Sequence, residues 1–314
     1  MSEGQVQLDL FDSIQVPYNH GVRLLLALRF AEAERVFQQY ARDYPGWRDL
    51  AVERTVCRVL QSAPLDGMKD AEEAVRRSAR IFTDLERELI GEPGAGALMD
   101  ELRPVFFQAV ASAADRLRNA GRPVRVGPEV LAGWYYLAGR FAEAGKLLKP
   151  VLAAGTEAPG RTYVLMGDIL YRLGEAALAR EYYREAFSRR PEEMAAGLTA
   201  DPEVNAFVAG LGDDEGAPEP SLFWVAPVGL IRGVFPFPVL HAVEALAAWQ
   251  KEFAALAAEP RTPPNDARLF YLAVVLDRRD PSPLKERVIY RRALKKLAPD
   301  LFQEYLAGLG LWTG

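Results

Sequence analysis

Apolar residues recur at intervals of three and four along most of this chain, the spacing that places them on one face of an α-helix. Glycine and proline clusters separate these stretches and mark turns. The pattern predicts an all-α protein. Besides the repeated segments treated next, the predicted helical stretches are 47–63, 70–91, 96–121, 238–258, 265–278 and 283–308.

Three segments repeat a second pattern. They read "LRFAEAERVFQQYARDYP" (28–45), "GRFAEAGKLLKPVL" (139–152) and "GEAALAREYYREAFSRRP" (174–191). An offset of 35 residues separates the last two, which is the length of one helical hairpin. In each segment an alanine is followed four residues later by a large side chain, as in the pairs Ala33–Phe37, Ala144–Leu148 and Ala179–Tyr183.

Residues 161–191 resemble a tetratricopeptide (TPR) repeat. Gly167 and Ala179 are small where that family brings its two helices close together, and Tyr183 fills the hole beside them. Pro191 ends the hairpin, because proline cannot continue a helix. The resemblance extends more loosely to 14–45, 125–158 and 266–299, about a third of the chain in all. It implies helical hairpins stacked into an irregular α-α superhelix.

These patterns divide the chain. The stretch "GDDEGAPEP" is acidic, contains proline and has no apolar anchor, so it reads as a linker. Residues 221–237, "SLFWVAPVGLIRGVFPF", are apolar without a helical period, which predicts a short strand pair or an extended strap across a helical surface. The predicted parts are an N-terminal tail (1–16), a TPR-like array (17–211), the linker (212–220) and a smaller helical C-terminal domain (221–314).

Composition excludes several kinds of chemistry. The only cysteine, Cys57, precludes a disulfide within the chain and a thiolate zinc site, and it is expected to be a small buried hydrophobe. His20 and His241 lie apart, without carboxylates at metal-ligand spacing, and we expect structural roles for both. The glycines of 91–97 lack the lysine of a phosphate-binding loop. We therefore expect a protein that is not an enzyme and has no cofactor or metal; an enzyme with a carboxylate-only site is the remaining alternative.

Charge and hydropathy limit the location and the partners. The net charge of −5 argues against a protein that coats nucleic acid as a whole. No signal peptide opens the sequence, and the most apolar run, 226–240, is too short to span a bilayer. We expect a cytoplasmic protein that does not insert into membranes.

The TPR resemblance implies a concave groove lined by the first helix of each hairpin. Tyrosines and mixed charges there would suit a peptide or partner helix with apolar anchors, whereas the family's lysine and asparagine clamp for chaperone tails is missing. Alternatively, the same positions only pack against neighbouring helices. The predicted partner-binding residues are Tyr136, Arg161, Val164, Asp168, Tyr171 and Arg172; the matching positions of the earlier copies are Tyr18, Val22, Leu25, Glu129 and Gly133.

The stretch "QLDLF" near the N-terminus resembles the pentapeptide with which many bacterial proteins bind the replication sliding clamp. The resemblance implies that a glutamine amide hydrogen-bonds in one pocket while leucine and phenylalanine fill an apolar cleft. Alternatively, the segment docks on its own chain or on another partner. The five residues are Gln7, Leu8, Asp9, Leu10 and Phe11.

A cluster of positive charge lies near the C-terminus of this mildly acidic chain. It predicts contact with an acidic partner; a nucleic-acid backbone is less favoured because no aromatic residues are interleaved. Alternatively, it is only the solvated side of a helix that buries its other face. The basic patch consists of Arg287, Arg291, Arg292, Lys295 and Lys296.

Overall fold

A computed structural model describes residues 3–63, 71–122, 124–154, 158–194, 199–212, 221–238 and 243–311, without the side chains of 3–13, 212, 221 and 243–245. Every regular element within these ranges is helical, so the predicted all-α class is confirmed. The helices are α1 (Glu3–Leu26), α2 (Phe30–Asp43), α3 (Ala51–Leu60), α4 (Ala71–Glu88), α5 (Ala95–Asn119), α6 (Pro128–Leu137), α7 (Phe141–Ala153), α8 (Gly160–Arg172), α9 (Ala176–Arg189), the 3₁₀ turn Pro191–Met194, α10 (Pro202–Gly212), α11 (Ser221–Ile231), α12 (Val243–Ala258), α13 (Pro263–Arg279), α14 (Leu284–Leu297) and α15 (Pro299–Gly308).

Some prolines of this chain mark a helix boundary, whereas others lie inside a helix. The stretch 283–308 was expected to be one helix, but it divides at Ala298, which is extended because Pro299 opens α15 and disfavours helical geometry in the residue before it. By contrast, α5 continues past Pro104, and α7 continues three residues past Pro150. The stretch 96–121, predicted as helical, is thus a single helix that contains Pro104.

The first eleven residues of the apolar segment after the linker contradict both expected forms, the strand pair and the extended strap. Residues 221–231 form α11, and its consecutive residues from Trp224 to Leu230 are all buried. A helix that is covered on every side needs no polar face, so its sequence has no amphipathic period. The segment 232–238 then runs without helical structure, and Phe235 packs so closely that a Cβ at Gly229 would lie 2.6 Å from its ring.

The pairs α1–α2, α6–α7 and α8–α9 share one turn. In each turn, the amide of the first residue after the helix donates a hydrogen bond to the carbonyl four residues before it. The amide two residues further along donates to the carbonyl five residues before itself. Between them lies a left-handed residue, at φ values of 58°, 75° and 84°. The left-handed residues are Leu28, Gly139 and Gly174.

Close helix approach is repeated in the first and third of these pairs. A Cβ at Gly21 would lie 2.5 Å from Cε1 of Phe37, and a Cβ at Gly167 would lie 2.6 Å from Cδ1 of Tyr183. Both aromatic side chains are fully buried and follow their glycine by 16 residues. The pairing of a glycine with a large residue, predicted as the packing logic of the hairpin, is present in both.

The chain divides into two compact units, residues 1–147 and 148–314, with the division inside α7. In the N-terminal unit each helix from α1 to α6 packs against the next, and α1 also contacts α5. Phe82, Phe106 and Phe107 form the aromatic centre, with the Phe82 and Phe106 rings stacked 4.7 Å apart. In the C-terminal unit, α11 lies against α9 and α13, and α13 also packs on α12 and α14.

Candidate functional site

A cleft opens beside α1 in the N-terminal unit and encloses about 430 Å³. Tyr18 and Val22, two positions that the TPR resemblance assigns to the groove, form part of its wall. Most of the remainder comes from α3, the two residues Arg48 and Asp49 before it, and the residues around the start of α5. Leu25, the third predicted position on this helix, is fully buried in the core and does not line the cleft.

Tyr18, Arg48 and Glu53 are joined at the floor of this cleft. The Tyr18 hydroxyl donates a hydrogen bond of 2.8 Å to Oε1 of Glu53, and Nε of Arg48 lies 3.7 Å from the same oxygen. The Arg48 guanidinium also covers the Tyr18 ring at 3.9 Å. Burial, followed by the Glu53 hydrogen bond, raises the pKa of Tyr18, so its hydroxyl stays a donor and fixes the buried carboxylate.

The rim of the cleft is acidic. Asp49, Glu92 and Glu101 are exposed around it, and Asp49 also accepts a 2.9 Å hydrogen bond from the amide of Ala51 at the start of α3. Together with Glu53, these carboxylates outnumber the arginine of the lining. A cationic side chain with an apolar stem is the group that such a cleft stabilises best.

Sequence reasoning missed the acidic residues of the cleft. Glu53 gave one signal that could have found it, because it occupies the same helical face as Val56, Cys57 and Leu60, all buried. A carboxylate at an apolar position implies a specific partner. Glu92 and Glu101 gave no such signal, because they reach the cleft only through the packing of α5 on α1.

In the third hairpin, α8–α9, the face of α8 that matches the cleft-lining face of α1 is covered by the protein's own chain. Oδ1 of Asp168 accepts 2.7 Å hydrogen bonds from the Tyr183 hydroxyl and from the amide of Ala200. Thr199 and Asn205 hold the same covering segment through mutual hydrogen bonds of 2.7 and 2.8 Å. Burial raises the pKa of Asp168. This predicted partner-binding residue is thus engaged within its own chain.

The other predicted groove residues are distributed over both units. Arg161 and Arg172 are exposed on α8, while Val164 and Tyr171 are half-buried on the same helix. Tyr136 lies on α6 in the N-terminal unit, and its ring centroid is 5.5 Å from that of Phe141.

A second cavity, of about 370 Å³, lies within the C-terminal unit. Phe187, Phe223, Ala226 and Pro227 give it apolar walls, and three arginines, two glutamates and two tyrosines add polar groups. No residue predicted from the sequence as a binding site lines it. The charged and tyrosine residues of the lining are Arg189, Arg190, Arg268, Glu192, Glu252, Tyr163 and Tyr271.

The basic patch on α14 contains two arginines that bond to Asp277 and three residues that are exposed. The backbone carbonyl of Asp277 accepts a hydrogen bond from the Arg287 guanidinium, and the Asp277 carboxylate accepts from Nε of Arg291 at 3.0 Å. The exposed basic residues of the predicted set are therefore Arg292, Lys295 and Lys296.

Three other sequence expectations have different outcomes. Cys57 is fully buried, as predicted, and burial raises the pKa of its thiol to about 12. His20 is exposed on α1, and its predicted structural role stays a prediction; His241 lies outside the described residues. Helix α1 begins at Glu3 and takes in the segment that was predicted as a tail, but the side chains of residues 7–11 are likewise outside the described set.

The described residues contain no group of three histidine, cysteine, aspartate or glutamate side chains placed to hold a metal ion. Among the helices in that same part of the chain, none combines the length and the apolar character needed to cross a membrane. Comparison of the chain with protein-family models, with curated proteins and with solved structures found no match.

Proposed function

We propose that this protein is a non-enzymatic protein-protein interaction scaffold of the TPR type, and that the cleft beside α1 binds a cationic segment of its partner. One observation carries the proposal: Tyr18 and Val22, which the resemblance assigns to a binding groove, line a cleft whose rim is acidic. The occupant is an extended or helical segment in which lysine or arginine alternates with apolar anchors.

The shared hairpin geometry supports the TPR part of this proposal. A common turn recurs at Leu28, Gly139 and Gly174, and a glycine meets an aromatic ring 16 residues later in two of the hairpins. These are the features by which the family packs its hairpins into an α-α superhelix. We extend the same arrangement to this chain as part of the proposal.

The state of the carboxylates favours binding over catalysis. A general acid needs a raised pKa together with access to a substrate. Asp168 has a raised pKa, but its Oδ1 already accepts hydrogen bonds from the Tyr183 hydroxyl and the Ala200 amide. Glu53 is held by Tyr18 and Arg48 instead of facing a second carboxylate. The polar groups of the cleft therefore fit recognition of a bound cation.

A selection of displayed random twelve-residue peptides on the immobilised full-length protein tests the proposal. We expect enrichment of sequences rich in lysine or arginine with interspersed leucine, isoleucine or valine. The variant Glu92→Lys/Glu101→Lys reverses two exposed charges of the rim. It should lose this enrichment, and the selected peptides should bind it at least about tenfold more weakly in fluorescence anisotropy.

The matched control is Glu88→Lys/Glu193→Lys, which changes the net charge equally at exposed positions outside the cleft. It should bind the selected peptides with the wild-type affinity. Equal weakening in both double variants would mean that overall charge, rather than the cleft, attracts the peptides. Enrichment of acidic or purely apolar peptides would contradict the proposal.

A second candidate function rests on the agreement of all five residues at 7–11 with the clamp-binding pentapeptide. In that case the protein is an accessory factor of a bacterial cytoplasm, recruited to the replication clamp. Anisotropy of a labelled peptide of residues 1–16, titrated with purified sliding clamp, tests it. Saturable binding that is lost in a Gln7→Ala/Phe11→Ala peptide is expected; no binding at about 50 µM clamp would refute this candidate.

A further inference from the structure

The cavity of the C-terminal unit has a charge imbalance in its wall. Glu185 lies between two guanidinium groups, with Nη2 of Arg184 at 3.0 Å and Nε of Arg189 at 2.8 Å. Burial alone would raise the pKa of Glu185, but the two arginines hold it below its ordinary range. Two positive charges are thus balanced by one carboxylate.

The remaining ion pairs around the cavity do not correct this imbalance. Arg268 forms a bidentate pair with Glu252, at 2.7 and 3.0 Å. Nη1 of Arg190 lies 4.0 Å from Glu192. Counted over the described residues, the lining holds three arginines and two glutamates. Adding the neighbouring Arg184 and Glu185, which do not line the cavity, leaves the same excess of one positive charge.

Arg184 and Arg189 differ in how they are buried. The Arg184 side chain is 5% exposed and gives a further hydrogen bond to the Pro236 carbonyl, which carries no charge. The Arg189 side chain is 50% exposed and lines the cavity. A positive charge held in a partly enclosed space is stabilised when an anion enters. Arg189 is the group placed to meet it.

The rest of the cavity wall fits the body of a flat molecule. Phe223 and Tyr163 are half-buried and supply aromatic surface, while Phe187, Ala226 and Pro227 are buried apolar residues of the same lining. Within the described part of the chain the buried hydroxyl of Tyr271 has no hydrogen-bond partner, and the neighbouring Ser188 hydroxyl donates to the carbonyl of Glu185 at 3.2 Å. A volume of about 370 Å³ lies in the range of small-molecule sites.

We propose that this cavity binds a small organic anion, with a planar apolar body against Phe223 and Tyr163 and a carboxylate paired with Arg189. The acidic group balances the charge that Glu185 leaves over, and the arginine fork matches a carboxylate with two parallel hydrogen bonds. This site is separate from the acidic cleft of the N-terminal unit and attracts ligands of opposite charge.

Isothermal titration calorimetry of the full chain with 2-naphthoate tests the proposal, with 2-naphthamide as the neutral analogue of the same shape. We expect saturable binding of one naphthoate per chain and at least about tenfold weaker binding of naphthamide. Inorganic phosphate, an anion without an apolar body, should bind at least about tenfold more weakly than naphthoate.

Arg189→Gln should weaken naphthoate binding at least about tenfold without lowering the melting temperature, since the side chain is half-exposed and Glu185 keeps Arg184. Arg189→Lys keeps the charge but not the fork, so its affinity for naphthoate should lie between that of the wild type and that of Arg189→Gln. Arg279→Gln removes an exposed charge outside the cavity and should bind as wild type. Equal affinity for naphthoate and naphthamide, unchanged binding in Arg189→Gln, or no binding at millimolar naphthoate would overturn the proposal.

Discussion

The first and third hairpins have the same internal design and opposite surroundings. In both, a glycine on the first helix receives an aromatic ring from the second, and the connecting turn contains a left-handed residue. On the first hairpin, Tyr18 faces an open acidic cleft. On the third, Asp168 is bonded to the segment around Ala200. The comparison teaches that the packing within a hairpin and the covering of its groove face are set by different residues.

The largest expected effects concern what the two hairpins share. Gly167→Val and Gly21→Val each place side-chain atoms against a fully buried ring that has no room to move. Each should destabilise its own hairpin by about 3 kcal/mol, the upper end of the usual cost of overpacking. Amide hydrogen exchange, read separately over residues 14–43 and 160–189, would measure the two losses independently.

Gly133→Ala on α6 is the control for these substitutions. A Cβ there meets nothing within 4 Å, so alanine should be neutral or stabilise the helix by up to about 1 kcal/mol. A loss at Gly133 as large as that at Gly167 would contradict the packing account, because it would show a general requirement for glycine in these helices.

The next largest effect concerns what covers the third hairpin. Asp168→Ala leaves the hydroxyl of Tyr183 and the amide of Ala200 without their common acceptor. We expect a loss of about 2–3 kcal/mol and faster exchange of amides 199–205. Glu53→Gln in the open cleft should cost only about 1 kcal/mol, because an amide oxygen still accepts from Tyr18. Equal losses in the two variants would remove the distinction between a covered and an open face.

Charge reversal separates the two faces by binding. If the first hairpin binds the partner, Glu92→Lys/Glu101→Lys should lower the affinity for the selected cationic peptides at least about tenfold, or about 1.4 kcal/mol in binding free energy. Arg161→Glu/Arg172→Glu changes two exposed charges on the third hairpin and should leave their affinity within about threefold. If the arginine variant lowered peptide affinity more than the glutamate variant in anisotropy titrations, the binding face would lie on α8 instead.

The smallest expected effect is a difference in the pH dependence of folding. The raised pKa of Asp168 means that its ionised form disfavours folding, so its contribution to stability falls as the pH rises from about 4 through the raised value. Glu185 has a lowered pKa and contributes stability that is lost as the pH falls through that lowered value. We would measure the free energy of unfolding by urea between about pH 3 and 6. Its slope against pH should change in opposite directions in Asp168→Asn and Glu185→Gln.

The hairpins could be predicted because their signals are local. A small residue, a large residue four positions later and a closing proline lie within one segment, as at Ala179, Tyr183 and Pro191. The helical state of 221–231 could not be predicted, because burial on all sides removes the periodicity that marks a helix.

The candidate sites were predictable only in part. The resemblance pointed to Tyr18 and Val22. The acidic rim depends on α5 packing against α1, a long-range contact that no local pattern encodes. Similarly, the carboxylate shared by Arg184 and Arg189 is visible in the sequence only as adjacent charges on one helix, typical of a solvated face.

The central claim is that the first hairpin presents an open binding face and the third a covered one. Hydrogen–deuterium exchange of the full chain, with and without a saturating selected cationic peptide, tests it most directly. The account predicts protection of α1 at residues 18–25 and of the segment 92–101, with no change in α8 at 161–172. Protection confined to α8, with residues 18–25 and 92–101 unchanged, would contradict it.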